Sequence, residues 1–159
     1  MTRGAPDGSG PLETPDVKRP RWAATATAPL AATGLAAAGV LIAAYLTATR
    51  LAGDLPACGP LAGCEQVATS AYSEVFGIPV AAFGLGYSLA VLVTVVAWWR
   101  TGSRRAVIAA YALGLAGIVV VAYLTYLELF VIHAICAWCV AYAATVALGW
   151  GVTAMALRR

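Results

Sequence analysis

Apolar residues in this chain are gathered into runs longer than a soluble helix needs. One extends from about residue 25 to 49, a second from about 78 to 99, and a third from Ala106 to Leu157 with almost no polar relief. A hydrocarbon core about 30 Å thick asks for about 20 residues of a helix that rises about 1.5 Å per residue. As one helix the third run would reach about 78 Å, so it must fold back once. Glu128 and His133 are the only ionisable side chains in that run apart from cysteines and tyrosines. A tight turn is therefore expected near Phe130 to Ala134, with spans at about 106–129 and 135–157. No Gly or Pro marks it.

The segments between the runs complete the outline. Residues 1–24 are rich in Pro, Gly and charge, lack apolar periodicity and read as a disordered tail. Lys18, Arg19 and Arg21 ahead of an apolar run resemble the start of a secretory signal. That run is longer than the roughly 7–15 residues of such a signal, so it reads as a first membrane span. The polar loop 50–77 carries its own pattern. From Cys64 onward Val67, Ala68, Ala71, Tyr72, Val75 and Phe76 recur at helical spacing, opposite Glu65, Gln66, Thr69, Ser73 and Glu74. The expected fold is all-α and integral to a membrane: a four-transmembrane-helix bundle over 25–157, with a periplasmic loop carrying a short amphipathic helix.

Composition agrees, with 62% apolar and 11% charged residues and a mean hydropathy of +0.83. Soluble domains hold about 45–50% and about 25% respectively. The net charge of +3 matters less than where its charges lie, and no basic patch suited to nucleic acid is present. Arg3, Lys18, Arg19, Arg21, Arg100, Arg104, Arg105, Arg158 and Arg159 fall on the side of the termini and the middle turn, and Arg50 alone lies opposite. Basic residues stay cytoplasmic, so both termini are expected on the cytoplasmic side of the membrane. The 50–77 loop and the Phe130 turn then face out.

All four cysteines fall on that outer side, where disulfides form and persist. Four cysteines allow three pairings, and spacing favours one of them. Cys136 and Cys139 stand at i and i+3 on one helix face, and Cys58 and Cys64 enclose a flexible Gly- and Pro-containing stretch. A CxxC at a helix start has a chemical rationale. Unpaired N–H groups and the helix dipole stabilise the thiolate, which is the attacking species. A lone CxxC is weak evidence, and two rival readings of the four thiols are a structural zinc site and purely structural disulfides. Zinc ribbons favour two short knuckles in a polar setting, and a bundle this apolar has little need of stapling.

Two segments, CEQVATSAYSEVFGIPVAAFGLGY from Cys64 to Tyr87 and YLTYLELFVIHAICAWC from Tyr123 to Cys139, together resemble the bacterial vitamin K epoxide reductase homologues. The resemblance implies a four-helix bundle around a quinone, menaquinone or ubiquinone, as electron acceptor, with no metal. It implies that Cys58 exchanges with a periplasmic thioredoxin-fold disulfide-forming protein. Cys64 would form a transient disulfide with Cys136, and Cys139 would reduce the quinone. Ser70 matches a serine near the active centre. Many relatives carry a fused thioredoxin-like domain that is not seen here, so a separate partner is expected. The tyrosine that vertebrate members carry four residues after the last cysteine is Ala143, with Tyr142 beside it. Cys139, Tyr142, Phe83 and Tyr87 are the candidate quinone contacts.

Two further residues lie close to this chemistry. Glu128 could donate a proton to the reduced quinone, but near the interface it is expected to point to water. His133 could stabilise the Cys136 thiolate, although a solvated turn residue needs no such role. The overall expectation is a membrane thiol–quinone oxidoreductase. The rival from another class is a non-enzymatic metal-binding or assembly protein that uses the same thiols as ligands.

Overall fold

The computed structural model describes residues 27–58 and 63–158. The expected tail, 1–24, lies outside the described residues. In chain order the elements are α1 (Thr27–Leu51), α2 (Gly63–Ala68), β1 (Glu74–Val75), β2 (Ile78–Pro79), α3 (Val80–Thr101), α4 (Arg104–Leu127) and α5 (Ala137–Arg158). Four of these, α1, α3, α5 and α4 with the turn that prolongs it, are long and apolar enough to cross a membrane. They form a ring in which α1 and α4 each pack against both α3 and α5.

The packing follows from the solvent. Lipid tails are as apolar as leucine, so helices there associate through close van der Waals contact, which favours small residues at the seams. On α1 the buried positions are Pro29, Ala32, Ala36, Gly39, Ala43 and Thr47, a stripe of narrow side chains every three or four residues. On α4 they include Val107, Ala110, Gly114 and Gly117. A Cβ on Gly114 would fall 2.9 Å from Trp150 Cδ1 and 3.2 Å from Trp150 Cβ, so α5 sits directly on the α4 backbone there. Large side chains such as Leu41, Val93, Val119 and Leu148 point outward to lipid.

At the arginine-rich end, Gly102 in the left-handed region closes α3, and its N–H returns to Trp98 O at 2.8 Å. At the cysteine-bearing end, the turn expected over Phe130–Ala134 is built differently. Beyond Leu127 the chain keeps winding as a π-helical turn, Glu128–Ile132, and breaks only over 133–136. His133 takes the left-handed conformation (φ 56°) that a glycine would supply. Its ring holds that shape through a bond between Nδ1 and Leu129 O at 3.1 Å. The expected position of Glu128 in water is overturned: the residue is only 5% exposed.

The loop helix is shorter than the apolar spacing suggests. α2 has six residues, and Ser70 ends it by bonding Val67 O through its side chain and its N–H. Val75 and Phe76 belong instead to an antiparallel hairpin, Glu74 opposite Pro79 and Val75 opposite Ile78. Its tip, Phe76–Gly77, has positive φ at both residues, as a tight two-residue hairpin turn requires. Arg50, the isolated basic residue of this end, pairs with Glu74 at 3.0 Å and so ties the end of α1 to the hairpin. In phase with the bundle, the loop is seated over its cysteine-bearing end.

Gly114→Ala should lower thermal stability in detergent by about 1–3 kcal/mol, the usual cost of overpacking. Gly151→Ala, where an added Cβ meets nothing within 4 Å, should not. Melting both variants beside the parent protein checks this.

Candidate active site

Cys136 sits at the N-cap of α5. Its carbonyl accepts the N–H of Val140 at 3.0 Å, and its sulfur accepts the N–H of Cys139 at 3.4 Å. This is the geometry of a side-chain cap with sulfur in place of oxygen, and it sets the sulfur against the positive end of the helix dipole. The Cys139 thiol, which lies against it and donates to it, is the largest influence on Cys136. It brings the Cys136 pKa down to about 7, although burial opposes the shift. An ordinary thiol titrates near about 8.5. Cys136 thus combines 3% exposure with a thiolate available at neutral pH.

Cys58 and Cys64 form a disulfide with their Cα atoms 6.0 Å apart, while Cys136 and Cys139 are free thiols. Of the loop pair, Cys64 is 1% exposed and Cys58 is partly open. What joins the two pairs is a contact between backbones. A Cβ on Gly63 would fall 2.7 Å from Ile135 N and 2.9 Å from Ile135 C, closer than any side chain allows. Gly63 precedes Cys64 and Ile135 precedes Cys136, so each inner cysteine is one residue from the place where the chains touch. α2 also packs on the π-helical turn.

The other flank of the loop pair is held from inside the CxxC. Trp138 donates its indole N–H to Ala57 O at 2.9 Å, and the Ala57 N–H donates to the Tyr45 hydroxyl at 2.9 Å. The Tyr45 and Trp138 rings lie 5.0 Å apart. Both polar groups of the residue before Cys58 are therefore fixed, one to α5 and one to α1. The sequence reading missed this clamp. Trp138 stands between the two cysteines, but nothing in its spacing points to a partner 81 residues earlier.

Glu128 completes the centre. Its Oε2 accepts the Cys136 N–H at 3.4 Å, and its carboxyl group also lies beside the Cys139 thiol. The other candidates are placed less centrally. Ser70 is bonded to its own helix. His133 is exposed, with its ring on Leu129 O. Phe83 is 53% exposed on α3, and the Tyr87 hydroxyl crosses to Leu113 O on α4 at 3.1 Å. Tyr142, one turn below Cys139, donates to Gly84 O and shares a bond with the Ser88 hydroxyl, each at 2.9 Å. Tyr87 and Ser88, with Gly39, Gly114 and Trp150, line a cavity of about 40 Å³ deeper in the bundle, room for water but not for a quinone ring. No group of three or more His, Cys, Asp or Glu suited to a metal ion occurs among the described residues.

Comparison with curated proteins returns no match. The family model described as the vitamin K epoxide reductase family matches residues 30–154, a stretch that holds all four cysteines, Glu128 and the four membrane helices almost whole. The chain therefore belongs to the vitamin K epoxide reductase family, as a multi-pass membrane oxidoreductase that acts on thiols.

Proposed function

We propose that the protein reoxidises a separate thioredoxin-fold disulfide-forming protein outside the bacterial inner membrane and passes the electrons through its two cysteine pairs to a quinone. Both termini lie in the cytoplasm and the sulfurs face out, a reading supported by the arginines gathered at the opposite end of the bundle. The observation that carries the proposal is the Gly63–Ile135 contact, which brings the residues before Cys64 and Cys136 together.

The cycle is a sequence of thiol–disulfide exchanges. A partner thiolate attacks Cys58, the more open sulfur of the loop disulfide, and Cys64 leaves as a thiolate. Cys64 attacks Cys136 of an oxidised Cys136–Cys139 pair, forming the Cys64–Cys136 bond and releasing Cys139. The partner's second thiol displaces Cys58 and leaves as the oxidised partner. Cys58 then attacks Cys64, restores the loop disulfide and frees Cys136. The chain ends with a closed loop pair and a reduced CxxC, the same redox state as in the described structure.

Reoxidising the CxxC removes two electrons and two protons, which a bound quinone would accept. The residues beside Cys139 suit such a group by their chemistry. Tyr142, one turn from Cys139, would offer its hydroxyl to a carbonyl oxygen in exchange for its bond to Gly84 O. The protein's own contribution is to position the sulfurs, to keep Cys136 deprotonated and to exclude water from Cys64 and Cys136.

Three measurements test the reading. With reduced partner and quinone, Cys139→Ala should stop turnover but still allow a mixed disulfide between Cys58 and the partner to be trapped, seen by mass spectrometry of unreduced digests. Sustained turnover in that variant would overturn the order of the relay. Thiolate absorbance of the purified protein should rise through about pH 7 and lose that step in Cys136→Ser, because the lowered pKa makes Cys136 anionic above that pH. On intact cells treated with a mild reductant, an impermeant maleimide should label Cys58. Labelling that appears only after permeabilisation would reverse the orientation.

A further inference from the structure

Glu128 is the one buried ionisable group at this centre that the relay leaves without a task. It is 5% exposed, and the one ion pair among the described residues, Arg50–Glu74, lies elsewhere. A carboxylate buried without a cation is costly, because desolvation is not repaid by a partner charge. Its position is set by the backbone. The buried stripe of α4, Val107, Ala110, Gly114 and Gly117, reaches Glu128 three turns after Gly117. The π-helical turn that begins there, a device frequent at functional sites, is capped on Glu128's own carbonyl by the N–H groups of His133 and Ala134. The carboxyl is thus held between the backbone of Cys136, the residue attacked, and the sulfur of Cys139, the group that leaves.

We propose that Glu128 is the proton carrier of Cys139. This rests on the relay described above. When the Cys64 thiolate attacks Cys136, the S–S bond to Cys139 breaks and its electron pair stays on Cys139, which takes a proton from the Glu128 carboxylic acid. In reverse, the Glu128 carboxylate removes the Cys139 proton as that sulfur bonds Cys136, the Cys64–Cys136 bond breaks, and Cys64 leaves as the thiolate. No outside oxidant or reductant enters, because one disulfide is exchanged for another. The carboxyl contact with the Cys136 N–H holds Glu128 in place through both directions.

The titratable groups that face Glu128 are few. At the start of α5 they are Cys136 and Cys139, and α2, which packs on the same turn, carries the buried, disulfide-bonded Cys64 and the exposed Glu65. On its own segment His133 is exposed, with its ring on Leu129 O. A pH limb that disappears with Glu128 can therefore be separated from the cysteine limbs, which remain.

The test isolates the internal step in the full-length protein in detergent, without quinone. The protein is prepared with a Cys136–Cys139 disulfide and a reduced loop pair, acid-quenched over time, and the appearance of Cys58–Cys64 is followed by mass spectrometry. Wild-type exchange should fall at high pH, where Glu128 has lost its proton, and should show a solvent deuterium isotope effect. Glu128→Gln keeps the shape but carries no proton. It should slow the step by about a hundredfold, the lower end of the range for general acid–base catalysis, and lose both the high-pH limb and the isotope effect. Glu128→Asp should recover part of the rate together with the limb. Reduction of the loop disulfide by a small dithiol should be unchanged in both variants.

A Gln variant that exchanges at the wild-type rate overturns the proposal. So does a slowed Gln variant with an unaltered pH profile, or a wild-type step with no isotope effect, which tests the idea even where a variant folds poorly. If the wild-type protein exchanges nothing between its pairs, the relay reading fails first and this proposal with it. Normal wild-type exchange matched by Glu128→Gln sinks only the role given to Glu128.

Discussion

Sulfur chemistry between two cysteine pairs needs their chain segments in contact, and here a side chain cannot intervene because one partner in the contact has none. At Gly63 the loop backbone rests on the backbone of Ile135. The rest of the molecule can be read as the means of bringing these two peptides together. The four helices close through narrow residues, since lipid supplies no hydrophobic drive between them. Their closure brings the end of α1, the start of α3 and the α4–α5 connection to one end of the bundle. Arg50 and the hairpin then seat the loop over that end.

The break between α4 and α5 shows how the membrane shapes the site. A chain that turns back near lipid must satisfy its backbone groups internally. Here one carbonyl, that of Glu128, takes the N–H groups of both His133 and Ala134, and the Cys136 N–H goes to the carboxyl of the same residue. Glu128 is thereby the hub of the connection before any chemistry is considered. The first turn of α5 is capped by a thiol that is also the proposed point of attack, so helix initiation and reactivity depend on the same atom.

Much of this was legible in the sequence. Hydropathy placed the four long apolar helices to within two or three residues, because the length needed to cross a membrane sets the length of the apolar runs. The placement of the cysteines at one end followed from counting spans, and the loop pairing from short separation. Three features were not legible. Val75 and Phe76 continued a helical spacing but were drawn into a hairpin by Gly77 and Pro79, whose local geometry outweighs periodicity. Glu128 was expected in water because its distance from the interface was weighed and its phase on α4 was not. Extending the Gly114–Gly117 stripe by three turns would have turned it inward. The Trp138–Ala57–Tyr45 clamp joins residues far apart in sequence through one backbone unit, and pattern reading has no access to such a contact.

The clamp has a consequence for the loop disulfide. One flank of the seven-residue ring is pinned at Ala57 by Trp138 and Tyr45, and the other at Gly63 by Ile135, through contacts that involve neither sulfur of the loop pair. Cleaving the bond therefore sets free little of the chain-closure entropy that a tether normally holds back. A redox couple built in this way can cycle many times without searching for its own partner, and its midpoint can be set by sulfur chemistry instead of by the reach of a wandering loop.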